Sequence, residues 1–138
     1  MISSFKLIFN NLNNYVEETE SKEYWSSRFE VNQTHFLGRK SKKTPTKKGE
    51  FVTLWKRVQG KTHPFEQKDK LDFVVILNQE ESGYFLFSKS VLTEKGIIQS
   101  SGTKGKCGFR LYFPHEKELN KQASKTQLWQ KDYYHSLP

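Results

Sequence analysis

The sequence predicts an α+β fold, with a mixed or mostly antiparallel sheet of about five strands and an N-terminal and a C-terminal helix packed on it. Three observations predict it. Helical apolar spacing is confined to the two ends of the chain. The middle holds several short segments rich in aromatic and β-branched residues. Turn-forming glycine, asparagine and proline separate those segments. A length of 138 residues fits one domain spanning the whole chain. The 11 Phe, 6 Tyr and 3 Trp supply enough large rings for a core, although only 34% of residues are hydrophobic.

The elements follow in order. Phe5, Ile8, Phe9, Leu12, Tyr15 and Val16 fall at helical spacing, so the first helix is expected to run to about Val16, capped by Ser3 or Ser4. Trp25 to Val31 reads as a strand, and Phe51 to Val58 as another. Leu71 to Leu77 is almost wholly apolar, as a central strand is. Asn78 to Gly83 is a hairpin turn into the strand Gly83 to Lys89, and Ser90 to Gly96 is one short helical turn ended by glycine. In the strand Phe109 to Phe113, Phe109, Leu111 and Phe113 point inward, Arg110 and Tyr112 point outward, and Pro114 stops it. Glu116 to Ser136 reads as the closing helix.

Charge is unevenly placed. The net charge is +8, and residues 39–70 carry 11 basic and 3 acidic groups. The flanking segments 1–38 and 71–138 hold 3 against 5 and 9 against 7. The whole excess therefore equals that of the middle segment. A field concentrated in this way attracts phosphates and other anions, although a lysine-rich solvated loop has the same composition.

Composition excludes several classes. One cysteine, Cys107, permits no disulfide within the chain. His35, His63, His115 and His135 do not stand at metal-ligand spacing. No apolar run approaches the ~18 residues that span a bilayer, so no membrane partner is expected. The start of the chain lacks the features of a signal peptide, and a cytoplasmic location is the expectation.

Arg39, Lys42, Lys43, Thr44, Thr46 and Lys47 form a run of cations and hydroxyls around Pro45, leading into Gly49 and a strand. Such a run can hold an anion through ammonium groups, hydroxyls and backbone amides. It lacks the Walker spacing. Trp55, Lys56 and Arg57 put an aromatic face beside two cations, which suits a stacked base next to phosphate, although a core tryptophan has the same spelling. Lys106 and Arg110 flank a glycine-rich loop that can add a second anion contact. Gln127 and Gln130 share a helix face, where paired amides suit the edge of a strand or a cleft.

Asp72 stands in the apolar strand and is costly there unless paired with Lys56 or Lys89 or bound to a cation. A metal-dependent nuclease places an Asp on one strand and a Glu-x-Lys on the next. Phe87 and Leu54 occupy the positions where that second carboxylate would stand.

Taken together, several strings resemble the bacterial MepB-like family. They are Lys43 to Lys47, Gly49 to Arg57, Pro64-Phe65, Asp69 with Asp72, Gly105-Lys106, Arg110 with Tyr112, and Asn120 to Gln130. The resemblance covers residues 23 to 135. It implies a cytosolic bacterial protein and leaves the chemistry open. Glu50 stands where the family pattern has Gln, Ser88 where it has Pro, and Cys107 where it has a basic residue. Tyr112 to His115 replaces a Tyr-Pro-Pro-Trp string.

The leading expectation is a domain that binds nucleic acid or another phosphate-bearing polyanion, without a cofactor. Its contacts would be Arg39, Lys42, Lys43, Thr44, Thr46, Lys47, Trp55, Lys56, Arg57, Lys106, Arg110 and Gln127. One alternative is a divergent nuclease of the restriction-endonuclease-like type, using Asp72 and Lys89 with Mg²⁺ or Mn²⁺ held at Asp72. Another is a module for a small anion or a protein.

Overall fold

The structure is a computed structural model describing residues 1–138. A short helix α1 (Ile2–Lys6) precedes β1 (Asn13–Glu17), β2 (Ser27–Val31) and β3 (Thr34–Lys40). Then come β4 (Lys42–Lys43), β5 (Glu50–Thr53), β6 (Lys56–Val58) and β7 (Lys61–His63). The chain continues through β8 (Phe73–Leu77), β9 (Gly83–Ser88), α2 (Lys89–Glu94) and β10 (Gly108–Leu111). It closes with α3 (Lys121–Gln130) and β11 (Tyr134–Ser136).

The main sheet is mixed, with strand order β1-β2-β3-β8-β9-β11. Only β3 and β8 run parallel, with Phe36 opposite Phe73 and Lys40 opposite Leu77. A parallel pair needs a long crossover. Here the crossover carries β4, β5 and a separate β6-β7 hairpin, and β4 and β5 join the later strand β10 in a second sheet of order β10-β5-β4.

Both faces of the main sheet are covered. Leu37, Val74, Ile76, Phe85 and Phe87 pack against Val52, Leu54, Leu111 and Phe113 of the second-sheet side. On the opposite face, Phe29, Phe36, Val75 and Leu77 pack beneath Phe5 and Leu12. This two-sided burial explains why β8 is a continuous apolar run. No helix is long and apolar enough to cross a membrane.

Several predicted boundaries move. The N-terminal helix ends at Lys6, and Asn13 to Glu17 pairs with β2 instead. Phe5 and Leu12 still reach the core, so the apolar spacing marked buried residues rather than one continuous helix. The predicted strand Phe51 to Val58 is two strands: the β5 ladder with β10 extends to the Leu54 N–H on the Cys107 carbonyl (2.8 Å), and the chain then leaves it for the β6-β7 hairpin, where Lys56 stands opposite His63. The closing helix stops at Gln130, and Tyr134 to Ser136 becomes a strand against the free edge of β9. The strand β3 is additional to the predicted set. It enters through Asn32 and Gln33, both at positive φ (49° and 68°), as a tight two-residue hairpin requires.

Candidate functional site

The loop between β4 and β5 crosses the outer side of β10. Arg110 stands opposite Phe51 in the β10-β5 register. Its guanidinium donates from Nε (3.2 Å) and Nη2 (2.8 Å) to the Lys48 carbonyl, and from Nη2 to Thr44 Oγ1 (3.0 Å). The cation therefore holds both ends of the Lys43–Lys48 loop. Its Nη1 donates to no group of the chain.

Gly49 closes the loop at φ 76°, and a Cβ there would lie 2.3 Å from the Leu111 carbonyl. No other residue fits that close approach. Its N–H donates to Glu116 Oε2 (2.8 Å), and Lys48 Nζ donates to the Lys117 carbonyl (2.7 Å). The loop is thus fixed from both sides.

Two depressions meet at Arg110. One, of about 500 Å³, lies between β10 and α3 and presents Lys95, Lys106 and Arg110 among Phe51, Tyr112 and Trp129. The other, of about 340 Å³, presents Thr46, Lys47, Lys48 and Arg110 beside the start of α3. Arg110, Tyr112, Asn120 and Ala123 belong to both, so the two form one continuous groove. Its lining holds five cationic side chains and no carboxylate. Lys47 and Lys106 are exposed and make no ion pair, and Lys95 Nζ lies 5.4 Å from the Trp129 ring centroid. The N-terminus of α3, capped by Asn120 Oδ1 accepting from the Ala123 N–H (2.8 Å), opens onto the same groove. Its partial positive charge adds to that of the side chains.

Gln130 lies behind the groove wall and is fully buried. It accepts from the Tyr112 N–H (2.9 Å) and donates to the Arg110 carbonyl (3.0 Å). One side-chain amide thus substitutes for a neighbouring strand at the free edge of β10. Gln127 donates to the carbonyls of Phe113 (2.8 Å) and Glu116 (2.9 Å). Its amide nitrogen is already committed, so the expected ligand contact at Gln127 is corrected to a structural one.

The remaining predicted contacts lie elsewhere. Arg39 is fully buried between the sheets, donating to the carbonyls of Thr53 (3.2 Å) and Gly38 (2.8 Å). Burial pushes its pKa down to about 10, partly offset by the charges of Glu18 and Glu20. Its expected role as a surface anion contact is therefore corrected: strand alternation along β3 turns it inward with Leu37.

Lys42 faces Glu23 (3.8 Å) and the Tyr24 ring, and Lys43 pairs with Glu80 (2.6 Å). Lys56 lies between Glu66 (2.6 Å) and Asp69 (2.9 Å). Burial acts to lower the Lys56 pKa, but those two carboxylates outweigh it and raise it. Arg57 folds over Trp55, 5.2 Å from the ring centroid, and donates to the Gly60 carbonyl (3.1 Å). Trp55, Lys56 and Arg57 do not line the groove. The predicted site thus divides: Thr46, Lys47, Lys106 and Arg110 converge with Thr44 behind them, while the Trp55–Arg57 string stands apart.

Asp72 precedes β8 and is exposed. Its Oδ2 accepts from the His35 N–H (2.8 Å), tying β8 to β3. The expected pairing with Lys56 or Lys89 is not formed, because Lys89 Nζ reaches the Asp69 carbonyl instead. No three His, Cys, Asp or Glu side chains are grouped to hold a metal ion. Burial raises the Cys107 thiol pKa, which disfavours the thiolate.

Lys95, Tyr112, Asn120 and Trp129 line the groove without being among the contacts expected from the sequence. Tyr112 had a signal, since alternation along β10 turns it outward beside Arg110. Lys95 had none, because only the packing of α2 near α3 brings it there.

A family model described as MepB-like matches residues 18–136. A solved structure described as the crystal structure of MepB is similar at 36% identity and a TM-score of 0.88, covering 96% of this chain and 93% of that one. A bacterial homing endonuclease, I-Ssp6803I, aligns at 14% identity with a TM-score of 0.43, covering 92% of this chain and 80% of that one. A search of curated proteins found no match.

Proposed function

The chain belongs to the MepB-like family, and we propose that it binds single-stranded nucleic acid along the groove between β10, α3 and the Lys43–Lys48 loop. The observation that supports this reading is the groove lining, which combines five cations with aromatic rings and no acidic side chain. Phosphates neutralise Lys47, Lys106 and the free Nη1 of Arg110, while Tyr112 and Trp129 offer ring faces to unstacked bases. A duplex hides its base faces, so the aromatic lining favours a single strand. The amide groups of Asn120 and Gln122 can hydrogen-bond sugar or base edges.

Fluorescence anisotropy with a labelled oligonucleotide tests this. Lys47→Ala and Lys106→Ala should each weaken binding at low salt about three- to tenfold, consistent with loss of one phosphate contact apiece. Lys61→Ala and Lys70→Ala, in the same basic segment but outside the groove, should leave binding unchanged. Equal losses for all four variants would overturn the assignment to the groove, and absence of binding by the unmodified protein would overturn the function.

A further inference from the structure

Glu50 is a buried carboxylate, 3% exposed, at the start of β5. Its Oε1 accepts from Ser41 Oγ (2.6 Å) and from the Gln79 N–H (2.9 Å). Its Oε2 accepts nothing from the chain and is not among the sealed, unpartnered atoms. Glu50 lines a pocket of about 350 Å³ on the other side of the Lys43–Lys48 loop, a volume in the range of small-ligand sites. Lys47 and Lys48 line both this pocket and the groove, so the pocket continues the groove around the loop.

The pocket differs from the groove in charge. Lys43, Lys47 and Lys48 are balanced by Glu50, Glu80 and Glu116. Both Glu116 oxygens are committed, to the N–H groups of Phe113 (2.8 Å) and Gly49 (2.8 Å), and Glu80 pairs with Lys43 (2.6 Å). The Oε2 of Glu50 is the buried carboxylate oxygen that remains open. A neutral pocket with one buried acceptor suits an uncharged, donor-bearing heterocycle better than a phosphate. Exposed His115 stacks on Phe113 at the rim, with ring centroids 5.8 Å apart, and offers a face to such a ring.

We infer that this pocket receives one base of the bound strand and selects an amino-bearing base through Oε2 of Glu50. This rests on the strand-binding role proposed above. Cytosine presents its N4 amino group to an acceptor. Thymine offers only N3–H, flanked by two carbonyl oxygens that a carboxylate repels.

Equal-length oligo(dC) and oligo(dT) compete for the protein at slightly alkaline pH. The unmodified protein should favour oligo(dC) about tenfold or more, the worth of one hydrogen bond to a charged acceptor. Glu50→Gln should reverse that preference. The Gln79 N–H needs an acceptor and keeps the variant's amide oxygen, so the amide NH₂ replaces Oε2 and donates to thymine O4. Equal affinity of the unmodified protein for the two oligomers overturns this inference while leaving the strand-binding role standing. No binding to either overturns both. A preference for oligo(dC) that survives in Glu50→Gln overturns the assignment to Glu50. Free dCMP should compete far more weakly than oligo(dC); competition as strong as the oligomer's would make the ligand a free nucleotide and overturn the strand reading.

Discussion

Gln130 and Arg110 face each other across the edge of β10, one from behind the groove and one from within it. Gln130 satisfies a backbone N–H and a backbone carbonyl that no strand reaches. Gln130→Ala should therefore cost about 2–6 kcal/mol in urea unfolding, since each of the two buried backbone groups left unpaired costs about 1–3 kcal/mol. Arg110 holds the Lys43–Lys48 loop with two nitrogens and leaves the third for a ligand. Arg110→Lys should weaken binding nearly as much as Arg110→Ala, because an ammonium cannot both bridge Thr44 and Lys48 and face outward. Anisotropy on the two variants checks this, and near-normal binding by Arg110→Lys would contradict it. At this scale the sequence was unevenly legible. Two glutamines three apart on a helix already suggested the edge of a strand. Arg39 read as a surface cation only because β3 was not recognised, and without the strand its alternation inward is invisible.

Among the elements, the β6-β7 hairpin and the segment after it are joined by the ion cluster of Lys56, Glu66 and Asp69. Hydrogen bonding to Lys56 lowers the Glu66 pKa. Burial acts to raise Asp69, but Lys56 and the Glu66 N–H outweigh it and lower it. Carboxylates with depressed folded-state pKa values add stability that is complete above their unfolded values, near 4, and is lost as pH falls through the folded values. Urea midpoints between about pH 2 and 5 should fall with acid in the unmodified protein and fall less steeply in Lys56→Met. Parallel pH profiles would show that the cluster carries no such linkage. The raised Lys56 pKa acts at the other end, with its stabilisation lost only as alkaline pH passes the folded value. The elements themselves were legible where one strong pattern acted alone. The apolar run of β8, the hairpin at Asn78 to Gly83 and the alternation of β10 all stand where expected. Boundaries failed where tertiary pairing competed with local spacing, as at Asn13 to Glu17, where the backbone pairs with β2 rather than winding into a helix.

Across the whole molecule, the charge excess of residues 39–70 is redistributed by folding. Arg39 enters the core, Lys43 and Lys56 meet carboxylates, and Arg57 covers Trp55. What remains of the basic segment in the groove joins Lys95, Lys106 and Arg110 from later in the chain. Counting charges along the sequence located one wall of that groove; the other walls come from β10, α2 and α3, which only the fold brings together. The central claim is that these cations release counterions from a nucleic-acid strand. The most direct test is the slope of log affinity against log salt for a single-stranded oligonucleotide, comparing the unmodified protein with Lys47→Gln/Lys106→Gln. The account predicts a slope of about −2 to −3.5 for three to five neutralised phosphates, made shallower by about 1.4 in the double variant. A flat slope, or one unchanged by the double substitution, would contradict it.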